Sequence, residues 1–369
     1  MKNRSKVSIV RCNSYSPEEA VPSVDKAFSL LGGLELFIKP KERVLLKPNM
    51  LSASLPEEGK NTHIEIVRAC IRLVKKCGGI PLIGDNPGGS VIPKEAYERS
   101  KFLALAEEEG VELLESKHIK IIRDLPISSY FFECDKIINI PKMKTHSLMI
   151  LTGAIKNMYG AVSGLNKTHY HKVFPRPEDF YKIPVDVFEN VKPTLNLMDG
   201  VVAMDGNGPA SGRLRDVKIL LASEDAVSLD TIFCKIVGLD PEKLLTNREA
   251  YKRGIGNMHQ DEIDIVGEKI EDIYIKDFRL PDSQALLKLP DFLLNILTGF
   301  IKFGLYINKR NCVKCMICKD SCPVDCITIN GSTSKIDQKK CIRCMCCHEL
   351  CPHNAVSIKR NILAKALGV

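Results

Sequence analysis

Two stretches near the end of this 369-residue chain superimpose in register at an offset of 29 residues: CVKCMICKDSCPVDCITI from Cys312 and CIRCMCCHELCPHNAVSI from Cys341. Cys312, Cys315, Cys318, Cys322 and Pro323 answer to Cys341, Cys344, Cys347, Cys351 and Pro352, so each half reads C-x2-C-x2-C-x3-C-P. Thiols at this spacing face one centre only if the backbone loops tightly around it, and a fourth ligand must then arrive from elsewhere in the chain. Ten of the 15 Cys lie within 310–369. Cysteine therefore marks out a module of about 60 residues, too small to be held by an apolar core alone. The opening MKNRSKVSIVRCN has no apolar h-region followed by a small-residue cleavage site. A cytoplasmic location is expected, and a disulfide framework is not.

The run resembles the one that holds iron–sulfur clusters in bacterial-type ferredoxins, where the fourth Cys of each run ligates the other cluster. That resemblance implies two 4Fe-4S clusters, one on Cys312, Cys315, Cys318 and Cys351, the other on Cys341, Cys344, Cys347 and Cys322. Structural zinc closes with four ligands and leaves the third Cys and the Cys-Pro unexplained. Cys326 stands where the other half has Ala355, and Cys346 where it has Ile317, so both read as packing residues.

The net charge of +8 is concentrated in the same place, with +6 on residues 310–369. The basic residues are spread rather than blocked, and this segment contains no Phe, Tyr or Trp to stack on bases, which excludes a nucleic-acid partner. Lys314, Lys319, Lys339, Lys340 and Arg343 read either as charge that offsets anionic clusters and steers an acidic redox partner protein or as a solvated basic surface.

Residues 1–283 read as an α/β domain, because short β-branched runs alternate with helical patterns. KVSIVRC precedes a helix at 17–31, RVLLKPN at 43–49 a helix at 63–79, and PLIGDNPGG at 81–89 a helix at 94–109. In the 63–79 helix Ile66, Ala69, Cys70, Leu73, Val74 and Cys77 recur at spacings of three and four, placing both cysteines on the core face. KIINIPKMKTH at 136–146 reads as one strand with a polar tip, LNLMDGVVAMDGNGP as strand then turn, and KILLASED as a strand leading into the helix AVSLDTIFCKIVGL. The expected architecture is an open, mostly parallel sheet with covering helices, followed by a small α+β two-cluster ferredoxin domain at 310–369 with repeats at 310–332 and 339–361. In open α/β sheets the ligand lies beyond the carboxyl ends of the strands. The site candidates are then Lys47, Asn49, Asp85, Asn86, Lys142, Lys144, His146, Asp199, Asp205, Glu224 and Asp225. Asp199 and Asp205 suit a hard cation or acid–base work.

VLLKPNM, KMKTHSLMILTGAIKNMYGAV at 142–162, and LNLMDGVVAMDGNGP followed by SEDAVSLDTI resemble the family called domain of unknown function 362 over most of residues 5–270. The resemblance implies a redox-associated α/β protein of anaerobic type fused to clusters. Gly153, Gly160 and Gly164 surround Lys156 and Asn157, permitting a loop or helix N-terminus to approach an anion, although no Walker A sequence is present. Lys144, His146, Lys156 and Asn157 are accordingly assigned to a small anionic substrate. TGAIKN followed by His169 and His171 is also similar to the lactate racemase group, in which a Gly-flanked Lys and a downstream His hold a nickel pincer; the bland alternative is polar surface histidines.

Within the linker at 284–309, DFLLNILTGFIKFGLYI at 291–307 confines Asp291, Asn295, Thr298 and Lys302 to one stripe of a helical pattern. With Lys302 inside 17 residues it falls short of a bilayer span, which favours an interdomain or homodimer contact over membrane-surface association. The combined reading is electron transfer through two 4Fe-4S clusters as the redox arm of an oxidoreductase acting on an anionic substrate. The alternatives are a ferredoxin-like carrier, or a scaffold whose clusters only hold the tail folded.

Overall fold

The computed structural model describes residues 4–282, 303–331 and 333–360. The first segment builds β1 (Ser5–Arg11), β2 (Arg43–Pro48), β3 (Ile80–Gly84), β4 (Glu112–Leu114), β5 (Ile119–Ile122), β6 (Leu125–Ser128), β7 (Lys136–Ile140), β8 (Lys142–His146), β9 (Ile150–Thr152), β10 (Leu195–Asp205), β11 (Arg213–Ser223) and β12 (Ile263–Gly267). Ten of these form one sheet in the order β12-β1-β11-β10-β7-β2-β3-β4, with β8 paired to β10 and β9. Strands β7, β2, β3 and β4 run parallel, whereas β11 is antiparallel to both of its neighbours.

Helices cover both faces, and the strands read accordingly as unbroken apolar runs. In β2, Leu45 faces a core shared with Ile155, Phe188 and Phe233, while Val44 and Leu46 face a second core shared with Phe28, Val67 and Phe102. This alternation is the period-two geometry of a strand buried on both sides. The helix Ile64–Lys76 buries Cys70 fully, but Cys77 ends it as a half-buried cap residue rather than a core one.

Three expectations are corrected. The 94–109 helix is two helices, Pro93–Arg99 and Phe102–Glu109, because the Ser100 hydroxyl donates back to Ala96 O (2.6 Å) and Lys101 turns left-handed at φ 63°. The 136–146 strand breaks at Pro141, which has no N–H for the ladder. Strand β7 pairs with β2, and β8 shifts to the outer half of β10. Of the helix expected at 291–307, residues 291–302 lie outside the described residues, as do the dimer and membrane-surface roles assigned to them. Phe303–Ile307 is instead a strand, β13, antiparallel to β14 (Val356–Arg360), with Leu305 buried and Tyr306 exposed in the period of two. Among the described residues no helix is long and apolar enough to cross a membrane.

Candidate functional site

The 29-residue repeat of the sequence is also a repeat of backbone conformation. Lys314 and Arg343 (φ 61° and 57°), Met316 and Met345 (68° and 67°), and Asp325 and Asn354 (48° and 50°) are all left-handed. Short helices follow at Ile317–Asp320 and Cys346–Glu349. Cys326 N donates to Cys322 Sγ (3.4 Å) as Ala355 N does to Cys351 Sγ (3.2 Å). These turns bring Cys312, Cys315, Cys318 and Cys351 around one cavity, with Ile307, Ile329 and Val356 on its walls. Cys341, Cys344, Cys347 and Cys322 surround a second, walled by Leu305 and Ile327. Each cavity thus borrows one cysteine from the other run. Two enclosures rimmed by soft thiols with apolar walls fit iron–sulfur clusters, which supply one-electron chemistry when bound. Among the described residues no group of three or more His, Cys, Asp or Glu side chains converges tightly enough to hold a single metal ion. Cys326 and Cys346 line the second cavity as well, so neither is remote packing.

A third cavity, of about 90 Å³, lies where the α/β domain meets this module. Lys144, His146, Lys156 and Asn157 all line it, together with Asn49, Asp85 and Asn86 from beyond β2 and β3. Lys167 and His171, one turn apart on the helix Asn166–Val173, line it too. The cysteine module closes the remaining side with Cys346, Glu349 and Leu350. It is docked there by Ser90, whose N–H and hydroxyl meet Ser321 Oγ (3.1 and 2.8 Å), by Lys60 Nζ on Pro352 O (3.0 Å), and by His348 Nε2 near Asn207 O (3.2 Å).

Each cationic side chain has a distinct setting. Lys144 Nζ donates to Lys60 O, and Lys167 Nζ to Asn86 O (2.5 Å) and Pro87 O (3.1 Å). Lys156 has no hydrogen-bond or ion-pair partner among the described residues. Burial holds all three below the ordinary lysine range, Lys144 far below and Lys167 at about 7. His146 Nδ1 accepts from Leu148 N and Met149 N (both 3.2 Å), which puts the proton of the neutral ring on Nε2, 3.3 Å from Glu349 Oε1. Burial raises Glu349 to about 7 against the opposing pull of Lys156 and Lys144. His171 is stacked on Phe180 (centroids 4.0 Å), and burial lowers it to about 3. Asn157 is a brace rather than a contact, with its amide nitrogen on Asn139 Oδ1 (2.7 Å).

Several sequence expectations resolve differently. The glycine-flanked turn does present a helix N-terminus, Ala154–Asn157, but it points at the protein's own carboxylate. Asp230 accepts from Ala154 N (2.6 Å) and Ile155 N (3.2 Å), so no external anion sits there. Gly153 and Gly160 are required by contact, since a Cβ would stand 2.2 Å from Asp230 Oδ2 and 2.1 Å from Asp85 Oδ1 respectively. Asp199 is neutralised by Lys142 (2.7 Å) and accepts from the Tyr15 hydroxyl (2.8 Å). Asp205 is held by Arg213 and Arg215 (2.7 and 3.3 Å), so the two aspartates are structural anions rather than cation ligands. Lys47 is fully buried against Asp85 (2.8 Å), Asp225 caps the helix Ala226–Ile236, and Glu224 is exposed. His169 is exposed, but His171 is buried in the cavity wall with His146, which corrects the reading of His171 as a surface histidine. Sequence reasoning missed Lys167 and Glu349. The first looked like one more helical lysine, while the second was visible as a departure, HEL standing where the other run has KDS.

Comparison with known proteins bears on the same two units. Residues 334–357 match the 4Fe-4S binding domain, so the chain is an iron–sulfur protein in type. A solved structure, the lactate racemase apoprotein from Thermoanaerobacterium thermosaccharolyticum, is 13% identical with a TM-score of 0.39, covering 64% of this chain. The chain spans 57% of that protein's length, and a likeness this low bears on neither fold nor chemistry. A thylakoid-associated protein of Synechocystis sp., sll1697, is 31% identical over 284 residues, 75% of this chain and 88% of the relative. Residues 44–235 match the family described as Domain of unknown function (DUF362), and with that relative the match shows that the chain belongs to this family.

Proposed function

We propose that this protein is an oxidoreductase. It moves electrons from a redox partner protein through two 4Fe-4S clusters, on Cys312, Cys315, Cys318 and Cys351 and on Cys341, Cys344, Cys347 and Cys322, to an anionic substrate in the lysine-lined cavity. The observation that carries the reading is Cys346, which lines both the second cysteine cavity and the substrate cavity, so the two share a wall. A dedicated carrier has no use for such a wall, and Lys144, Lys156 and Lys167 on its far side supply the charge that an anion needs. Cys315 is exposed, whereas none of the four cysteines of the second set is, so the first cluster is the one nearer a docking partner. This division gives the chain an outer and an inner redox station.

Anaerobic reconstitution with iron and sulfide, followed by metal counting and an EPR-monitored redox titration, tests the reading. About eight iron atoms per chain are expected, together with reversible reduction that leaves the fold intact. About four iron atoms would overturn the pair of clusters. Clusters that cannot be cycled without unfolding the tail would make them structural and leave a scaffold. Reduction that no anion perturbs would leave a ferredoxin-like carrier.

A further inference from the structure

The substrate cavity carries more positive charge than its walls return. Asp85, which pairs with Lys47, is also the carboxylate that Lys167 feels, Glu349 is the one that Lys144 and Lys156 feel, and Lys156 is without a hydrogen-bond or ion-pair partner among the described residues. One neutral group of the same wall is also unsatisfied. His171 Nδ1 is enclosed without a hydrogen-bond partner, and the His171 side chain is held in place by its stack on Phe180. His171 is only 6% exposed, so solvent does not supply the missing contact. A buried polar group left without a partner is costly, and such a group beside an unpartnered cation in one cavity marks a ligand of complementary polarity.

Size narrows the class. At about 90 Å³ the cavity is smaller than the cavity of about 150 Å³ that takes a six-carbon ring, which leaves room for roughly four to six non-hydrogen atoms. A nucleotide, a sugar phosphate or a tricarboxylate would project out of it. Resting on the anionic-substrate reading above, we propose that the cavity binds one compact oxyanion, a carboxylate of about two or three carbons or an inorganic oxyanion of similar bulk, with its charge on Lys156 and Lys144 and a hydrogen bond to His171 Nδ1. The depressed lysines agree with this. Burial, reinforced by mutual repulsion, makes these lysines shed protons more readily, and an arriving anion opposes that loss, so binding takes up protons.

The test is calorimetric titration of the full chain, anaerobically loaded with iron and sulfide, with propanoate, phosphate, citrate and adenosine monophosphate at pH 8 in two buffers of different ionisation enthalpy. Propanoate or phosphate is expected to bind one-to-one with heats that reveal proton uptake, and citrate and the nucleotide not to bind; which compact anion saturates identifies the source. Lys156→Gln is expected to weaken binding at least tenfold and His171→Leu severalfold, whereas Lys172→Gln, an exposed lysine on the same helix, leaves it unchanged. Iron content and circular dichroism establish that each variant is folded. Binding of citrate or the nucleotide as tight as that of propanoate overturns the size class and leaves the anionic-substrate reading standing. Absence of any anion binding sinks both, while electron transfer retains its own redox titration. Wild-type affinity in Lys156→Gln removes the site from this cavity.

Discussion

Replacing Lys167 by Met tests whether burial governs the charge in this cavity. Lys167 is 8% exposed, and its ammonium is solvated only by the carbonyls of Asn86 and Pro87. Burial is the first cause that brings it to about 7, with Lys47 and Lys156 adding repulsion and Asp85 opposing. An unfolded lysine titrates near 10.4. Between pH 7 and that value the unfolded chain holds a proton that the native chain has released, so stability rises with pH across this window and is lost as pH falls to 7. The slope from one such group is about 1.4 kcal/mol per pH unit. At about 2.1 cal/mol/K of unfolding entropy per residue, a chain of this length converts that into about 2 °C of unfolding temperature per pH unit. Calorimetric scans of the iron-loaded protein at one scan rate, without small anions in the buffer, give the comparison. The advantage of Lys167→Met over wild type is expected to shrink by about 4 °C from pH 7.5 to 9.5. Parallel curves would refute a buried lysine titrating near neutrality, and adding a binding anion should flatten the wild-type curve.

Other positions make separate demands. Gly160→Ala drives a methyl into the Lys47–Asp85 pair, whose carboxylate is also fixed by Met50 N (2.8 Å). Breaking a buried pair costs about 3–5 kcal/mol, and an unfolding temperature within about 2 °C of wild type in the same scans would show that the pair yields cheaply. Lys142→Met strands the fully buried Asp199 and should destabilise by a similar amount, about 3–5 kcal/mol, whereas replacing both residues by apolar ones should recover most of that loss. Cys322→Ser, combined with Cys326→Ser because the two sulfurs lie 3.5 Å apart, should alter the same EPR signal as Cys344→Ser. A match to Cys315→Ser instead would disprove the exchange of ligands between the runs. Gly153→Ala expels the Asp230 carboxylate from the helix that carries Lys156, and should weaken compact-anion binding in the same titration that registers Lys156→Gln.

Much of this architecture was legible because its signals are local. The 29-residue Cys repeat, the apolar run Val44–Leu46 and the periodic face of the helix Ile64–Lys76 each announce their structure within a few residues. Lys144, His146 and Lys156 were legible for a different reason, since they stand at strand ends or beside glycines where open sheets place ligands. Charge pairing was not legible. Asp199 and Asp205 carry the same chemistry as ligand carboxylates, and only the fold reveals that Lys142, Arg213 and Arg215 have already claimed them. Glu349 was hidden because its partners, His146 and the lysines, lie some two hundred residues away in sequence. The Gly153 turn misled in an instructive way: the helix end does receive an anion, one supplied by position 230 of the same chain.

The three matched pairs of left-handed residues in the cysteine module have a further consequence. None of Lys314, Arg343, Met316, Met345, Asp325 and Asn354 is glycine, and each position costs on the order of 1 kcal/mol in that conformation, slightly less for the Asp and Asn. Together they absorb about 5 kcal/mol, roughly what the core of so small a module provides. Metal–thiolate bonds are then a condition of folding for the tail rather than an addition to it. Because Glu349 and Leu350 of that tail form one wall of the lysine cavity, loss of iron removes the wall along with the redox centre. On the function proposed above, a demetallated chain should therefore release a bound compact anion, and oxidative damage at the clusters would silence binding and electron flow in a single event.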